Sequence, residues 1–425
     1  MRGPGPHRPH PTHGEPPVTP DQALAVADDL ADPTDPRRPT QSPWWALSLA
    51  HGAPGIALLH AETAAAGLRP WKRAQDWLTA AAGTAVSAAG GTGAFYGAPA
   101  LAHALAAVDT ARPGSYRRAL AVLDTQVAAH ALRRVDAAQA RLRAATLPHL
   151  AEFDTLRGLA GVGAHLLRRD PGGRAVRAVL SHLVRLTEPL ADEEGPVPGW
   201  WSPTGPSGHH DPEFPGGHGN AGMAHGISGV LAALSLAAVR EVAVPGQTRA
   251  IDTIRAWLDA HRLDTALGAR WPYLLTRAEQ AAPPAPELLR HAGDRRRPSW
   301  CYGTAGIARA LQMAALARGD ERGRHEAETA LLGAMRDTRR RALTVEGSLC
   351  HGHAGLARIC ARAAADADGP NADPLRAMVP ELLDAAHPPA DARPGLLEGA
   401  AGIALAVLAG TGVPRTGWDT CLLIT

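Results

Sequence analysis

From about residue 44 to the end of the chain, apolar residues return every three to four positions. Stretches such as RALAVLDTQVAAHALRRVDAAQARL (118–142) and HEAETALLGAMRDTRRRAL (325–343) show the spacing of one helix face. Nothing alternates long enough to predict a strand. Into this helical background are set seven short glycine-centred elements: HGAPGIALL from His51, YGAPALAHAL from Tyr96, RGLAGVGAHLL from Arg157, HGISGVLAAL from His225, YGTAGIARAL from Tyr302, HGHAGLARI from His351 and EGAAGIALAVL from Glu398. Their first glycines (Gly52, Gly97, Gly158, Gly226, Gly303, Gly352 and Gly399) fall 45, 61, 68, 77, 49 and 47 residues apart, which is a repeat with variable insertions. Only the second element departs, with Ala100 in place of the second glycine.

Between elements there is room for about one more helix, so each repeat reads as a helix pair opened by its glycine motif. Glycine costs roughly 1 kcal/mol against alanine inside a helix. Its return at one frame position therefore needs a packing reason, and crowded helix starts supply it. Seven such pairs closed on themselves give an all-α, α/α toroid; an open superhelix is the competing geometry, and the sequence does not decide closure. Residues 1–40 are rich in Pro, His and charge with almost no apolar periodicity, which predicts a flexible tail before a single folded unit over 41–425. Two inserts, about 190–220 and about 278–300, are rich in Gly, Pro and Trp or in Pro and Arg and read as loops, each leading into a motif that carries chemical side chains.

The 425 residues carry a net charge of only +2, with Arg scattered among Asp and Glu, so no basic stripe marks a nucleic-acid footprint. No apolar run reaches the roughly 18 residues a membrane span needs, and the N-terminal stretch lacks a signal-peptide core. A soluble, cytoplasmic protein is expected. Four cysteines in so long a chain are not a disulfide framework, and in a reducing compartment metal binding or catalysis is the better reading. Cys360 and Cys421 have apolar neighbours and read as core residues.

Cys301 and Cys350 both stand two residues before a framing glycine, while His51, Tyr96, His225, Tyr302, His351 and Glu398 stand one before. In a pseudo-symmetric ring, equivalent frame positions share a rim, so Cys301, Cys350 and His351 are expected to converge, facing one another across the axis. Two thiolates and an imidazole make the three-ligand set of a catalytic zinc site with its fourth position open. Taken singly, each of the three reads better as a small buried group; in register they point to metal. His225 is a candidate proton-transfer group on the same rim, with His51 and His353 as rivals. Asp154 either orients an imidazole or caps a helix, and the residues alone favour the cap. Arg297 is a solvated charge or an anion stabiliser. The run Gly208-His209-His210-Asp211 reads as a histidine-bearing loop before a metal motif.

The motifs AHGISG, SWCYGTAGIARAL, LCHGHAGLARI, LLEGAAGIALAVL and GWDTCLL, in this order from about residue 44 to the C-terminus, resemble those of the lanthionine cyclase (lantibiotic synthetase component C) family. The resemblance implies a seven-fold α/α toroid with Zn2+ held by Cys301, Cys350 and His351. It also implies thioether closure, a cysteine thiol of a precursor peptide adding to dehydroalanine or dehydrobutyrine. Within it His225 matches the proton-transfer histidine, Asp154 its supporting aspartate, Arg297 the arginine and Tyr302 the tyrosine beside the first zinc ligand. Pro298 departs from the pattern, in which an acidic residue often follows the arginine, and this puts the pose of Arg297 in doubt. With only a short tail before the toroid, a stand-alone cyclase is expected, working on a peptide dehydrated by a separate dehydratase, in a biosynthetic complex that can include a transporter and so attach it peripherally to a membrane. The alternatives are a glutathione-adding relative with the same zinc site, a non-catalytic scaffold binding a leader peptide, and a zinc-free toroid of the glycosidase type, for which only Glu398 offers a rim carboxylate.

Overall fold

Two kinds of helix alternate along the chain in the computed structural model, which describes residues 19–35, 44–88, 91–192, 195–281, 297–388 and 392–425. The helices of one kind are buried along most of their length: α2 (Ala53–Ala65), α4 (Ala98–Ala111), α6 (Leu159–Arg169), α8 (Ile227–Val239), α10 (Thr304–Arg318), α12 (His353–Asp366) and α14 (Ala400–Ala409). A helix apolar all round must be buried all round, and in α2 every residue from Ala53 to Ala64 is. The other kind is amphipathic: α1 (Pro20–Asp29), α3 (Trp71–Ala82), α5 (Arg117–Arg143), α7 (Arg174–Arg185), α9 (Gln247–Ala260), α11 (Glu321–Arg336) and α13 (Ala372–Asp384). In α3 the buried set is Ala74, Trp77, Leu78 and Ala81, one stripe at helical spacing. The buried helices form an inner ring in which each packs on the next and α14 returns to α2, with the amphipathic helices outside it. This is a closed α/α toroid of seven helix pairs, and the open superhelix is excluded.

Closure is also written in the backbone at one rim. The amides of Leu49, Phe95, Thr155, Met223, Cys301, Cys350 and Leu397 donate at 2.9–3.1 Å to the carbonyls of Phe95, Leu156, Ala224, Cys301, Cys350, Leu397 and Ala50, which completes a circle through all seven repeats. The framing glycines serve these loops. A Cβ on Gly303 would lie 2.2 Å from the Ser299 amide nitrogen, and one on Gly352 would lie 2.1 Å from that of Ser348. The close approach is to the loop of the glycine's own repeat more than to a neighbouring helix. Gly97, in the divergent second repeat, is the framing glycine with a positive φ, +77°.

The seventh pair corrects the expected tail. Residues 1–18 and 36–40 of that segment lie outside the described residues, but Pro20–Asp29 is helix, not tail, and packs on α14 and α2. Its local sequence is weakly apolar, so composition hid it. A capping box between Thr19 and Gln22 starts it, Ala23 and Ala27 bury its inner face, and Asp28 pairs with Arg69 at 2.6 Å and Arg73 at 2.7 Å. The inner helix of the last repeat thus takes its outer partner from the beginning of the chain.

Of the two inserts, the first contains a short antiparallel ribbon, Leu190–Asp192 with Gly195–Val197, where a loop was expected. Gly219–Asn220 pairs with Leu274–Leu275 and ties that region to the next repeat. Most of the second insert, 282–296, lies outside the described residues. Among the described residues no helix is long and apolar enough to cross a membrane. The last residues run among the inner helices: Trp418, Leu423 and Ile424 are fully buried, and Asp419 pairs with the buried Arg358 at 3.0 Å and with Arg362 at 2.7 Å.

Candidate functional site

The turn that precedes each inner helix decides where the chemical side chains point. In four of the seven repeats, the residue four before the framing glycine closes the turn with a short polar side chain. Ser48, Ser299 and Ser348 accept with Oγ from the amides of His51 (3.1 Å), Tyr302 (3.2 Å) and His351 (3.3 Å). The residues two and one before the glycine are thereby held at the rim. Cys301 and Cys350 are neighbours, since the Cys301 amide donates to the Cys350 carbonyl at 3.1 Å. They come from consecutive repeats and stand side by side on the rim, not facing each other across the axis.

The ligand atoms of Cys301, Cys350 and His351 lie within 4.8 Å of one another, both cysteines being buried and His351 partly exposed. Zinc bonds of about 2.0–2.3 Å set tetrahedral ligands roughly 3.5–3.8 Å apart, so small side-chain adjustments bring this set onto an ion. A soft donor set in a pre-formed buried triangle fits zinc. The Cys350 thiol bonded to the Cys301 sulfur holds Cys301 well below the usual thiol range, with help from His351 against burial. The same bond, with burial, pushes Cys350 up. Burial opposes charge on His351, but the Cys301 sulfur and Glu346 outweigh it and lift the ring to about 9. One of the two sulfurs is therefore poised as a thiolate.

Next along the rim, His225 donates from Nδ1 to Asp154 Oδ2 at 2.7 Å. Asp154 occupies the frame position of the three serines and closes its own turn with Oδ1, which accepts from the amides of Arg157 at 2.6 Å and Gly158 at 2.7 Å. Of the two readings of Asp154, the imidazole holder is the one seen; its other oxygen closes the turn before the helix and does not cap the helix itself, whose N-cap is Gly158. Tyr302 lies beside this pair, with ring centroids 5.9 Å from His225. Burial raises its phenol well above the ordinary range, with Asn220 against the hydroxyl, so it stays protonated at neutral pH. Arg297 is partly buried and sits 3.7 Å from Glu346 Oε1. His51 lies edge-on to Trp44 at 5.9 Å, and His353 uses Nδ1 on the Glu346 carbonyl at 3.1 Å; of the three histidines weighed for proton transfer, His225 is the one with a carboxylate on its ring. Cys360 and Cys421 are buried away from the set, with burial pushing Cys360 up to about 12. His209 and His210 are exposed and take no part in a cluster.

Glu346, Asn220 and Ser299 were not singled out from the sequence. Glu346 Oε1 accepts from His351 Nε2–H at 2.6 Å. A signal was available: Asn220, Arg297 and Glu346 each stand six residues before a framing glycine, so the position that holds Arg297 marks the other two.

A family model described as lanthionine synthetase C-like protein matches residues 43–423. Among solved structures, one titled nisin cyclase is similar with a TM-score of 0.74 at 19% identity, over 95% of this chain and 96% of that one, a likeness of fold. A comparison with curated proteins finds no match.

Proposed function

The chain belongs to the lanthionine synthetase C-like family, and we propose on that footing that it closes thioether rings in a dehydrated precursor peptide, with zinc at Cys301, Cys350 and His351. The observation that carries the reading is the convergence on one rim of this soft three-ligand set with the His225–Asp154 pair. Bound there, zinc supplies Lewis acidity that keeps a peptide thiol deprotonated at neutral pH. The reaction adds the thiol sulfur to the β-carbon of dehydroalanine or dehydrobutyrine and a proton to the α-carbon, so no atom leaves.

His225 is the proton donor to the α-carbon. Asp154 fixes the ring with Nδ1–H inward, which aims Nε2 at the substrate side, and its negative charge stabilises the imidazolium before it gives up its proton. Arg297 offers a fixed positive charge toward the oxygen on which negative charge develops, and Tyr302 a protonated phenol beside His225. Because the substrate carries dehydrated residues, a dehydratase must act on the peptide first.

The test incubates the purified protein with a peptide holding one dehydroalanine and one cysteine, with glutathione present in a parallel reaction. Ring closure removes the free thiol with no change in mass. A glutathione adduct without ring closure would overturn the cyclase reading in favour of intermolecular addition, and full activity of a metal-free protein would overturn the zinc reading.

A further inference from the structure

We propose that Glu346 is a positioning residue that presents His351 to the metal in one tautomer and ties Arg297 to the same centre. The inference rests on the zinc reading above. His351 has two ring nitrogens and a partly exposed ring, so nothing in its own chemistry selects which one faces the thiols. Glu346 Oε1 accepts from Nε2–H at 2.6 Å, which keeps the proton there and leaves Nδ1 with its lone pair for the ion. The backbone that carries Glu346 is itself held. Its carbonyl accepts from the His353 amide at 3.1 Å and from His353 Nδ1 at 3.1 Å, and the next residue, Gly347, is pressed so closely on the Ala386–His387 backbone that an added Cβ would lie 2.6 Å from the His387 carbonyl. The base of the Glu346 side chain is therefore fixed relative to the His351 turn.

The same Oε1 lies 3.7 Å from an Arg297 terminal nitrogen. One carboxylate thus stands between a metal ligand and the residue read as the anion stabiliser. The charges balance with it and fail without it, since two thiolates and Glu346 oppose a divalent ion and Arg297. Loss of Glu346 frees the ring and leaves Arg297 without this partner.

Zinc affinity, measured by competition with a chromogenic chelator, tests the assignment without relying on turnover. The wild type, Glu346→Ala, Glu346→Asp and Glu346→Gln are compared, with circular dichroism to report folding. Alanine and the shorter aspartate are expected to weaken zinc binding roughly ten- to a hundred-fold, while glutamine, which keeps an acceptor oxygen, loses less than about ten-fold. If alanine fails to fold, aspartate and glutamine decide. Wild-type affinity in both the aspartate and the alanine proteins overturns the role of Glu346 and leaves the zinc reading intact; a wild type that takes up no zinc overturns the zinc reading itself.

Discussion

Asp154 divides its carboxylate between two tasks: Oδ2 accepts from His225 Nδ1 at 2.7 Å, and Oδ1 accepts from the amides of Arg157 and Gly158 at 2.6 and 2.7 Å. The carboxyl is 1% exposed, so neither oxygen has water to replace a lost partner. The rim turn and the His225 ring are coupled through one side chain.

Asp154→Asn separates the two tasks. The amide oxygen still closes the turn, but the NH2 group now faces Nδ1 and donates to it, which removes the charge that stabilises the imidazolium. Ring-closure rate should fall by roughly 10²–10⁴ with little change in Tm. Asp154→Ala should lose the same activity and, in addition, about 1–3 kcal/mol of stability, because the amides of Arg157 and Gly158 lose their acceptor. Rates and melting curves for the two variants check this, and a near-normal rate for the asparagine protein removes His225–Asp154 from the chemistry.

Metal analysis makes the second prediction. The wild type should carry about one zinc per chain, Cys301→Ala none, and Cys360→Ala as much as the wild type, because Cys360 is a core thiol outside the ligand set. Free zinc at a hundred times Kd should stabilise the wild type by about 2.7 kcal/mol and leave the Cys301→Ala protein unmoved. Metal content by mass spectrometry and Tm with and without zinc are the readouts.

The glycine frame made the fold and the Cys301–Cys350–His351 cluster legible because a close backbone approach leaves no substitute for glycine, whatever the insert lengths between repeats. It placed Cys301, Cys350 and His351 on one rim and His225 beside them. Three things stayed hidden for separate physical reasons. Helix α1 is stabilised by docking rather than by its own apolar content, so periodicity does not reveal it. The neighbour relation of Cys301 and Cys350 follows from their standing in consecutive repeats, which pack side by side, so the expectation that shared frame positions face each other across the axis passed over it. Glu346 reaches His351 through the rotamer of a surface-type residue, and such residues carry no pattern of their own; only its frame position, shared with Arg297, marks it.

Gly303→Ala tests the frame directly. The added methyl carbon would meet the Ser299 amide nitrogen at 2.2 Å and the Arg297 carbonyl oxygen at 2.7 Å, both backbone atoms that cannot swing away. The turn carrying Cys301 must shift. A loss of about 2–4 kcal/mol is expected, together with weakened zinc binding. Gly172→Ala, where nothing lies within 4 Å of the new carbon, should stay within about 0.5 kcal/mol of the wild type. Urea unfolding of the two proteins gives the comparison.

The acid limb of stability should begin at histidines far from the rim. Burial, seconded by Arg168, holds His103 at about 3, and burial holds His165 at about 4 although Asp124 opposes it. Unfolded histidine titrates near 6.5, so as pH falls below that value the unfolded chain takes up protons that the folded state refuses. Stability drops by up to about 1.4 kcal/mol per pH unit for each group until the folded pKa is reached. Carboxylates act lower: burial works against Glu152, but His182 and Arg141 hold it at about 2, so its contribution is present above about 4.5 and fades only as pH falls toward 2. Between pH 6.5 and about 4.5 the histidines therefore dominate. His165→Leu should flatten the dependence of unfolding free energy on pH in that window by about one proton, measured by urea titrations at pH 7, 6 and 5. An unchanged slope would show that His165 is free to protonate in the folded state.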